Sequence, residues 1–370
     1  MNKKVAIVTL YANNNFGNKL QNYAVQEIVK RVSGYETQTV VNYYERFKLL
    51  KTIKDIIKRV THYKNFEPLD IKREKKFKEF DKYIIKSKVT SSYRFSNKKL
   101  ERLFDYFVVG SDQVWNQTTG HISELFLLNF VKDSSKKISF AASLGTDNLL
   151  DESKNQIKLF IKDFNSISVR ENSAKEIIEK ITNRKDVEVL LDPTMILTTD
   201  DWDNVSKKPK QMVIGNEKYI LLYFLGNLSE DRKKNIFDFA NKNNCRIINI
   251  LDKNDEFYNC GPSEFIWLEK HAYMVCTDSF HSSVFAILYK RPFIVFNRDD
   301  GQNGVNEMNS RIDTLLSKFG LEENYYAGII DIGILNKNYD YIDNILYSER
   351  NKAIEFLEQS FDIQEKEINS

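Results

Sequence analysis

Asp278, Ser279 and His281 stand together in Val275-Cys276-Thr277-Asp278-Ser279-Phe280-His281-Ser282-Ser283-Val284, a stretch that offers a carboxylate, hydroxyls and an imidazole. Such groups can hold an anion and exchange a proton with it. The stretch changes period at its middle. Tyr273 to Cys276 reads as a short buried strand, whereas Phe280, Val284, Ile287 and Leu288 recur at helical spacing. Thr277 to Ser279 is therefore a strand-to-helix turn, where the amides of a helix N-terminus face a bound anion at the carboxyl end of a sheet. The same residues also suit an ordinary helix cap with a packed histidine.

Other strand ends carry similar groups. Tyr106 to Val109 is followed by Gly110-Ser111-Asp112-Gln113-Val114-Trp115-Asn116, which fits either a capped turn over a core tryptophan or one wall of a site. Ile167 to Val169 delivers Arg170, either half of a surface ion pair or a fork for a carboxylate or phosphate. Tyr11 to Lys19 joins the apolar run Val5 to Leu10 to a helical stripe of Leu20, Tyr23, Ala24, Ile28 and Val32. That loop exposes amides and Lys19, but Gly17 alone makes neither a dinucleotide fingerprint nor a Walker pattern. Ile138 to Gly145, and Val187 to Leu191 with Asp192-Pro193-Thr194, repeat the form of strand then polar turn.

The elements that must position these groups alternate between strand and helix twice. The first series adds a strand at 37–41 and a helix at 152–164. Periodicity lapses over 198–218 and restarts at Tyr219 to Leu225. There follow a helix at 229–242, a strand at 246–250, a helix opened by Pro262 with Ser263 as cap, the stretch around His281, a strand at 293–296 and a helix opened by Met308-Asn309-Ser310-Arg311-Ile312. The expected architecture is α/β: a Rossmann-like domain at 1–197, a linker at 198–218, a second Rossmann-like domain at 219–340, and a C-terminal helix in 341–370 packing back on the first. Strand-end clusters of both domains then face each other across a cleft.

A chain of 370 residues with 42% hydrophobic content can build two such cores. Its net charge of +3 is too small for a nucleic-acid binder, so any anion site is local. The stretch 50–100 is basic and carries a stripe of Phe77, Phe80, Tyr83 and Ile84; it suits a solvated helix face or peripheral association with an anionic membrane. The absence of a long apolar run and of a signal-like start leads to the expectation of a cytoplasmic protein, working free or at the inner face of the membrane. Cys245, Cys260 and Cys276 are too widely spaced for a zinc site or a disulfide framework.

Taken in order, Asn15-Phe16-Gly17-Asn18-Lys19-Leu20-Gln21-Asn22, Gly110 to Asn116, Ser139 to Gly145, Ser168 to Glu171, Leu191 to Thr194, Thr277 to His281 and Met308 to Ile312 resemble the polysaccharide pyruvyl transferase family. The sequence departs from the family pattern at Asn18-Lys19, where Gly-Asp is common, and at Ser282, where glycine is common. The resemblance implies a glycosyltransferase-like GT-B fold and a pyruvyltransferase that moves the pyruvyl group of phosphoenolpyruvate onto sugar hydroxyls as a ketal. The acceptor would be a surface polysaccharide, as in capsule or exopolysaccharide biosynthesis, or its lipid-linked precursor. It implies donor contacts from Arg170, His281, Ser279, Arg311 and Lys19, hydroxyl deprotonation by Asp112, and acceptor contacts from Asn18, Gln113 and Trp115. His281 would either protonate the methylene or hold the leaving phosphate. Neither a cofactor nor a metal is expected. A nucleotide-sugar glycosyltransferase of the same fold and a non-catalytic glycan-binding protein are the alternative readings.

Overall fold

Val5 to Val8 are buried on both faces of a parallel sheet, which is why they form an unbroken apolar run rather than an alternating one. The computed structural model describes residues 3–11, 14–41, 68–90, 97–117, 120–212, 217–298 and 310–363. β1 (Lys4–Val8), β2 (Glu36–Thr39), β3 (Tyr106–Val109), β4 (Lys137–Ala142), β5 (Ser166–Val169) and β6 (Glu188–Val189) form one sheet in the order β2-β1-β3-β4-β5-β6. β7 (Tyr219–Tyr223), β8 (Arg246–Asn249), β9 (Met274–Thr277) and β10 (Phe293–Val295) form a second, in the order β10-β9-β7-β8. Every pairing is parallel.

In each sheet the chain winds first to one side and then to the other, so the order reverses between β1 and β3 and again between β7 and β9. Those reversals leave a crevice outside the carboxyl ends of the strands. Helix α1 (Phe16–Ser33) springs from the first crevice. The Asn15 side chain caps it by accepting from the Asn18 N–H at 3.0 Å, and Gly34 ends it with the left-handed φ of 69°.

Alternate residues of β1 feed different cores: Val5 and Ile7 join a cluster that also holds Leu221, Tyr223, Val275 and Val295 of the second sheet, while Ala6 and Val8 face the opposite side. One apolar core is thus shared by the two halves. Phe16 lies within it, its ring centroid 4.7 Å from Phe265 and 4.9 Å from Phe77.

Two helices leave the half to which sequence order assigns them. α2 (Pro68–Phe80) lies against the second half: Arg73 donates to the Ile250 and Tyr258 carbonyls at 3.0 and 2.5 Å, Tyr258 donates to Asp70 at 2.6 Å, and Lys76 pairs with Glu264. Phe77, Phe80 and Ile84 are buried, so the apolar stripe of that basic stretch belongs to the core. Residues 42–67 and 91–96 of that basic stretch, like Met308 and Asn309, lie outside the described residues. At the other end of the chain, Arg350 donates to the Met195 and Leu197 carbonyls at 3.0 and 2.9 Å, which seats the C-terminal helix (Ile342–Ser360) on the first half.

Local details differ from the sequence expectations. Of the strand expected at 187–191, Glu188 and Val189 pair with β5, the Leu190 N–H still donates to the Val169 carbonyl at 2.9 Å, and a short helix follows at Pro193–Ile196. The stretch 198–218 contains a helical turn at Thr199–Asp203, capped reciprocally by Thr198 and Asp201 and anchored by buried Trp202. The helix expected at 152–164 spans Asp151–Gln156 and continues as a π turn to Ile161. The helix Pro262–His271 opens at Gly261, whose N–H donates to Glu264 at 3.2 Å, so Ser263 is not its cap.

Candidate active site

At the reversal between β1 and β3, Gly17 and Asn18 from the start of α1 meet Ser111 and Asp112 from the end of β3. Asn18 donates to Asp112 Oδ2 at 2.5 Å, and the Gln113 N–H donates to Asp112 Oδ1 at 2.9 Å. Asp112 adopts a positive φ of 69°, a conformation uncommon for a residue with a side chain and one that concentrates at functional sites. Arg170, just past β5, points into the same crevice. Its Nη2 lies 2.5 Å from Asp192 Oδ2 and also donates to Ser111 Oγ.

Asp192 is the anchor of this side. Its carboxylate is fully buried and accepts from Ser111 Oγ at 2.9 Å, the Thr194 N–H at 2.8 Å and Thr194 Oγ1 at 2.5 Å. With Nη2 held there, Nε and Nη1 of Arg170 are buried without a hydrogen-bond partner among the described residues. The second half supplies the opposite side. His281 and Phe280 begin a helix at Phe280–Leu288, and Arg311 comes from the helix Ser310–Phe319. His281 Nε2 lies 4.0 Å from Asp192 Oδ2, and Arg311 Nη1 lies 4.0 Å from Asp112 Oδ1. Arg170 and Arg311 lie against the Phe280 ring, with Cζ at 4.6 and 5.8 Å from its centroid.

Burial works to raise the pKa of Asp112, but His281, Arg170 and Arg311 outweigh it and leave the carboxyl below the usual range. Asp192 follows the same balance through Arg170, His281 and Thr194. Burial pushes the His281 imidazole down, Asp192 and Asp112 oppose that, and the two guanidinium groups reinforce it. Arg311 is drawn down to about 10 by burial and by Arg170, still charged at neutral pH. Glu171, which takes a hydrogen bond from Ser143, is raised by burial. The arrangement therefore places two guanidinium groups and an imidazole beside an ionised carboxylate. That combination suits an anionic substrate with a proton to receive.

The expected residues are only partly brought together. His281, Asp112, Arg170, Arg311 and Asn18 converge, with Gln113 beside them. Ser279 is buried next to them, and its N–H donates to Thr277 Oγ1 at 3.0 Å. Lys19 is directed elsewhere: its ammonium lies 2.5 Å from Asp81 and 3.9 Å from the Tyr11 ring centroid, so it does not reach the donor groups. Trp115 is a core residue whose indole N–H donates to the Phe126 carbonyl at 3.0 Å, which removes it from acceptor contact. Asp278 does not cap its helix. Its carboxylate instead accepts from the Leu225 and Gly226 amides, each at 2.7 Å, and joins β9 to β7 at the second reversal. Sequence reading gave no role to Gly17, Ser111, Asp192 or Glu171, although each lies within a stretch it had singled out.

Two parallel sheets with polar groups gathered where their strand order reverses define an α/β protein of the GT-B type. Over 95% of this chain and 91% of the other, the structure is similar to a Listeria monocytogenes protein named as a UDP-N-acetylglucosamine 2-epimerase, with 12% identity and a TM-score of 0.51. UDP-GlcNAc 2-epimerase from Neisseria meningitidis aligns over 98% of both chains with 10% identity and a TM-score of 0.49. No curated protein matches the chain. The polysaccharide pyruvyl transferase family model matches residues 15–300, and the chain belongs to that family. Ser282, which stands where glycine is common, donates to Glu269 Oε1 at 2.5 Å, and burial raises the pKa of this fully buried carboxyl well above its usual value. Among the described residues, no helix is long and apolar enough to cross a membrane.

Proposed function

We propose that this chain transfers the pyruvyl group of phosphoenolpyruvate to hydroxyls of a saccharide or lipid-linked oligosaccharide, forming a ketal and releasing phosphate. The observation that carries this reading is the pair of buried guanidinium groups, Arg170 and Arg311, whose partnerless N–H groups flank Phe280 and His281. A substrate with a carboxylate and a phosphate on one small skeleton matches two such cations.

In this mechanism the donor methylene carbon takes a proton, the first sugar oxygen bonds to the adjacent carbon, and that hydroxyl gives up its proton. The carbon–oxygen bond to phosphate then breaks. A second hydroxyl adds in its place and gives its proton to the departing phosphate, which closes the ketal. Asp112, held ionised by its cationic neighbours, orients an acceptor hydroxyl and receives its proton as the bond forms. Burial lowers the pKa of the His281 imidazole, and Asp192 and Asp112 oppose that. A bound phosphate favours its protonated form, which then either delivers a proton to the methylene or donates a hydrogen bond to the departing phosphate. Asn18 and Gln113 frame the acceptor side of Asp112.

The test is turnover. Purified protein with phosphoenolpyruvate and saccharide acceptors should release inorganic phosphate and yield a product carrying a ketal methyl signal by NMR. Consumption of a sugar nucleotide without phosphate release from phosphoenolpyruvate would replace this reading with glycosyl transfer.

A further inference from the structure

The lysines of α2 have a second setting apart from the crevice. Lys72, Lys75, Lys76 and Glu79 fall at helical spacing on one face, and that face meets the segment 207–211, which brings Lys207 and Lys210. Between them lies a groove of about 470 Å³, bounded further by Gln211, Asn259, Cys260 and Glu264. Its lining shares no residue with the site around His281.

The walls are fixed by other contacts. The Lys207 N–H donates to the Ser263 carbonyl at 3.0 Å, and Gln211 Nε2 donates to the Glu256 carbonyl and Asn259 Oδ1 at 3.0 and 2.8 Å. Arg73 ties α2 to the second half through two carbonyls. Lys76 pairs with Glu264, and Glu264 also accepts from Gly261. This leaves Lys72, Lys75, Lys207 and Lys210 exposed and without an ion-pair partner among the described residues, although two segments distant in sequence have been pinned so that these ammonium groups face one groove. Like charges held together repel, and an anion between them reverses the sign of that interaction.

We propose that this groove binds a phosphate-ester anion, a diphosphate in particular. Four compact ammonium charges on flexible stems suit several tetrahedral oxygens better than one planar carboxylate, and the volume admits more than one phosphoryl group. Among the described residues the lining is lysines, carboxylates, amides and one cysteine, groups that address the phosphates. Such a group arrives either on a soluble nucleoside diphosphate or on a membrane-borne polyprenyl diphosphate.

Hydrogen exchange of the full-length protein, with and without inorganic pyrophosphate, tests the site. Protection of segments 72–79 and 207–211 is expected. It should disappear in a Lys75→Glu/Lys210→Glu variant, whose calorimetric affinity for pyrophosphate falls roughly tenfold or more, and persist in Arg170→Lys. Both reversed lysines are exposed, so folding is checked by an unchanged melting temperature. Protection confined to the segments around Asp112, Arg170 and His281, or groove protection indifferent to the charge reversal, overturns the proposal. The source is then resolved by sedimentation with phosphatidylcholine vesicles, with and without polyprenyl diphosphate, in competition with UDP. Binding that requires the lipid and is lost in the double variant assigns the membrane source, and equal displacement by UDP from plain solution assigns the soluble one.

Discussion

Gly17 lies so close beneath the His281 imidazole that a Cβ at position 17 would stand 2.2 Å from Nδ1. The first turn of α1, in one half, thereby sets the position of the histidine in the other. Glycine is required by this approach, since any side chain would displace the ring.

Gly17→Ala should therefore shift His281 while favouring helix formation in α1. Turnover of phosphoenolpyruvate is expected to fall about 100-fold with a melting temperature within a few degrees of the parent. Near-parental turnover would show that the imidazole can move without consequence and would remove it from the chemistry.

His281→Gln keeps size and hydrogen bonding but cannot carry a proton near neutral pH. Under the proposed mechanism turnover drops by roughly 10² or more, and donor affinity measured by calorimetry drops less. A folded variant within a few-fold of parental turnover would leave the histidine a packing residue.

Arg170 separates binding from stability. Arg170→Lys keeps the charge opposite Asp192 but loses the planar fork, so phosphoenolpyruvate should bind more weakly to a folded protein. Arg170→Ala strands a fully buried carboxylate, at a cost of about 3–5 kcal/mol, which chemical denaturation would read. Unchanged donor affinity in the lysine variant would take Arg170 out of the donor site.

Glu269 gives a pH signature. Its folded-state pKa is raised from 4.5 by burial, so the native protein holds this proton where the unfolded chain has released it. The resulting stability is complete below the unfolded value near 4.5 and declines as pH rises above it toward the folded value. Glu269→Gln preserves an acceptor for Ser282 without that titration. Relative to the parent, the variant should thus gain stability progressively as pH rises above the unfolded value near 4.5 in denaturant titrations, in the direction linkage requires. A pH-independent difference would show that Glu269 does not titrate across this range.

Much of this site was legible because buried parallel strands are continuous apolar runs, and the polar residues that break them stand out at the strand ends. Asp112, Arg170 and His281 were visible on that basis. Lys19 was misplaced because it follows Asn18 by one residue, which on a helix turns the side chain by roughly 100° and here toward Asp81. Trp115 sits beside Asp112 in sequence but faces the core, a choice made by nonlocal packing against Phe164. Asp192 carried a usable signal: a carboxylate directly after Leu190 and Leu191 has to be paired if it is buried, and Arg170 is that partner. Nothing in α2 announced that its apolar face would pack on the second half, since Arg73 finds its partners roughly 180 residues further along the chain.

Because α2 lies on the second half and the C-terminal helix on the first, the polypeptide passes between its two halves repeatedly, and neither half is a contiguous gene segment. A fragment ending near residue 212 would carry Arg73 without its carbonyl partners at Ile250 and Tyr258 and would lack the helix that receives Met195 and Leu197 through Arg350. The complementary fragment would expose the matching surfaces. Such pieces should be insoluble when made separately and should regain a native melting transition only when co-expressed, so that domain dissection of this protein becomes a problem of reassembly.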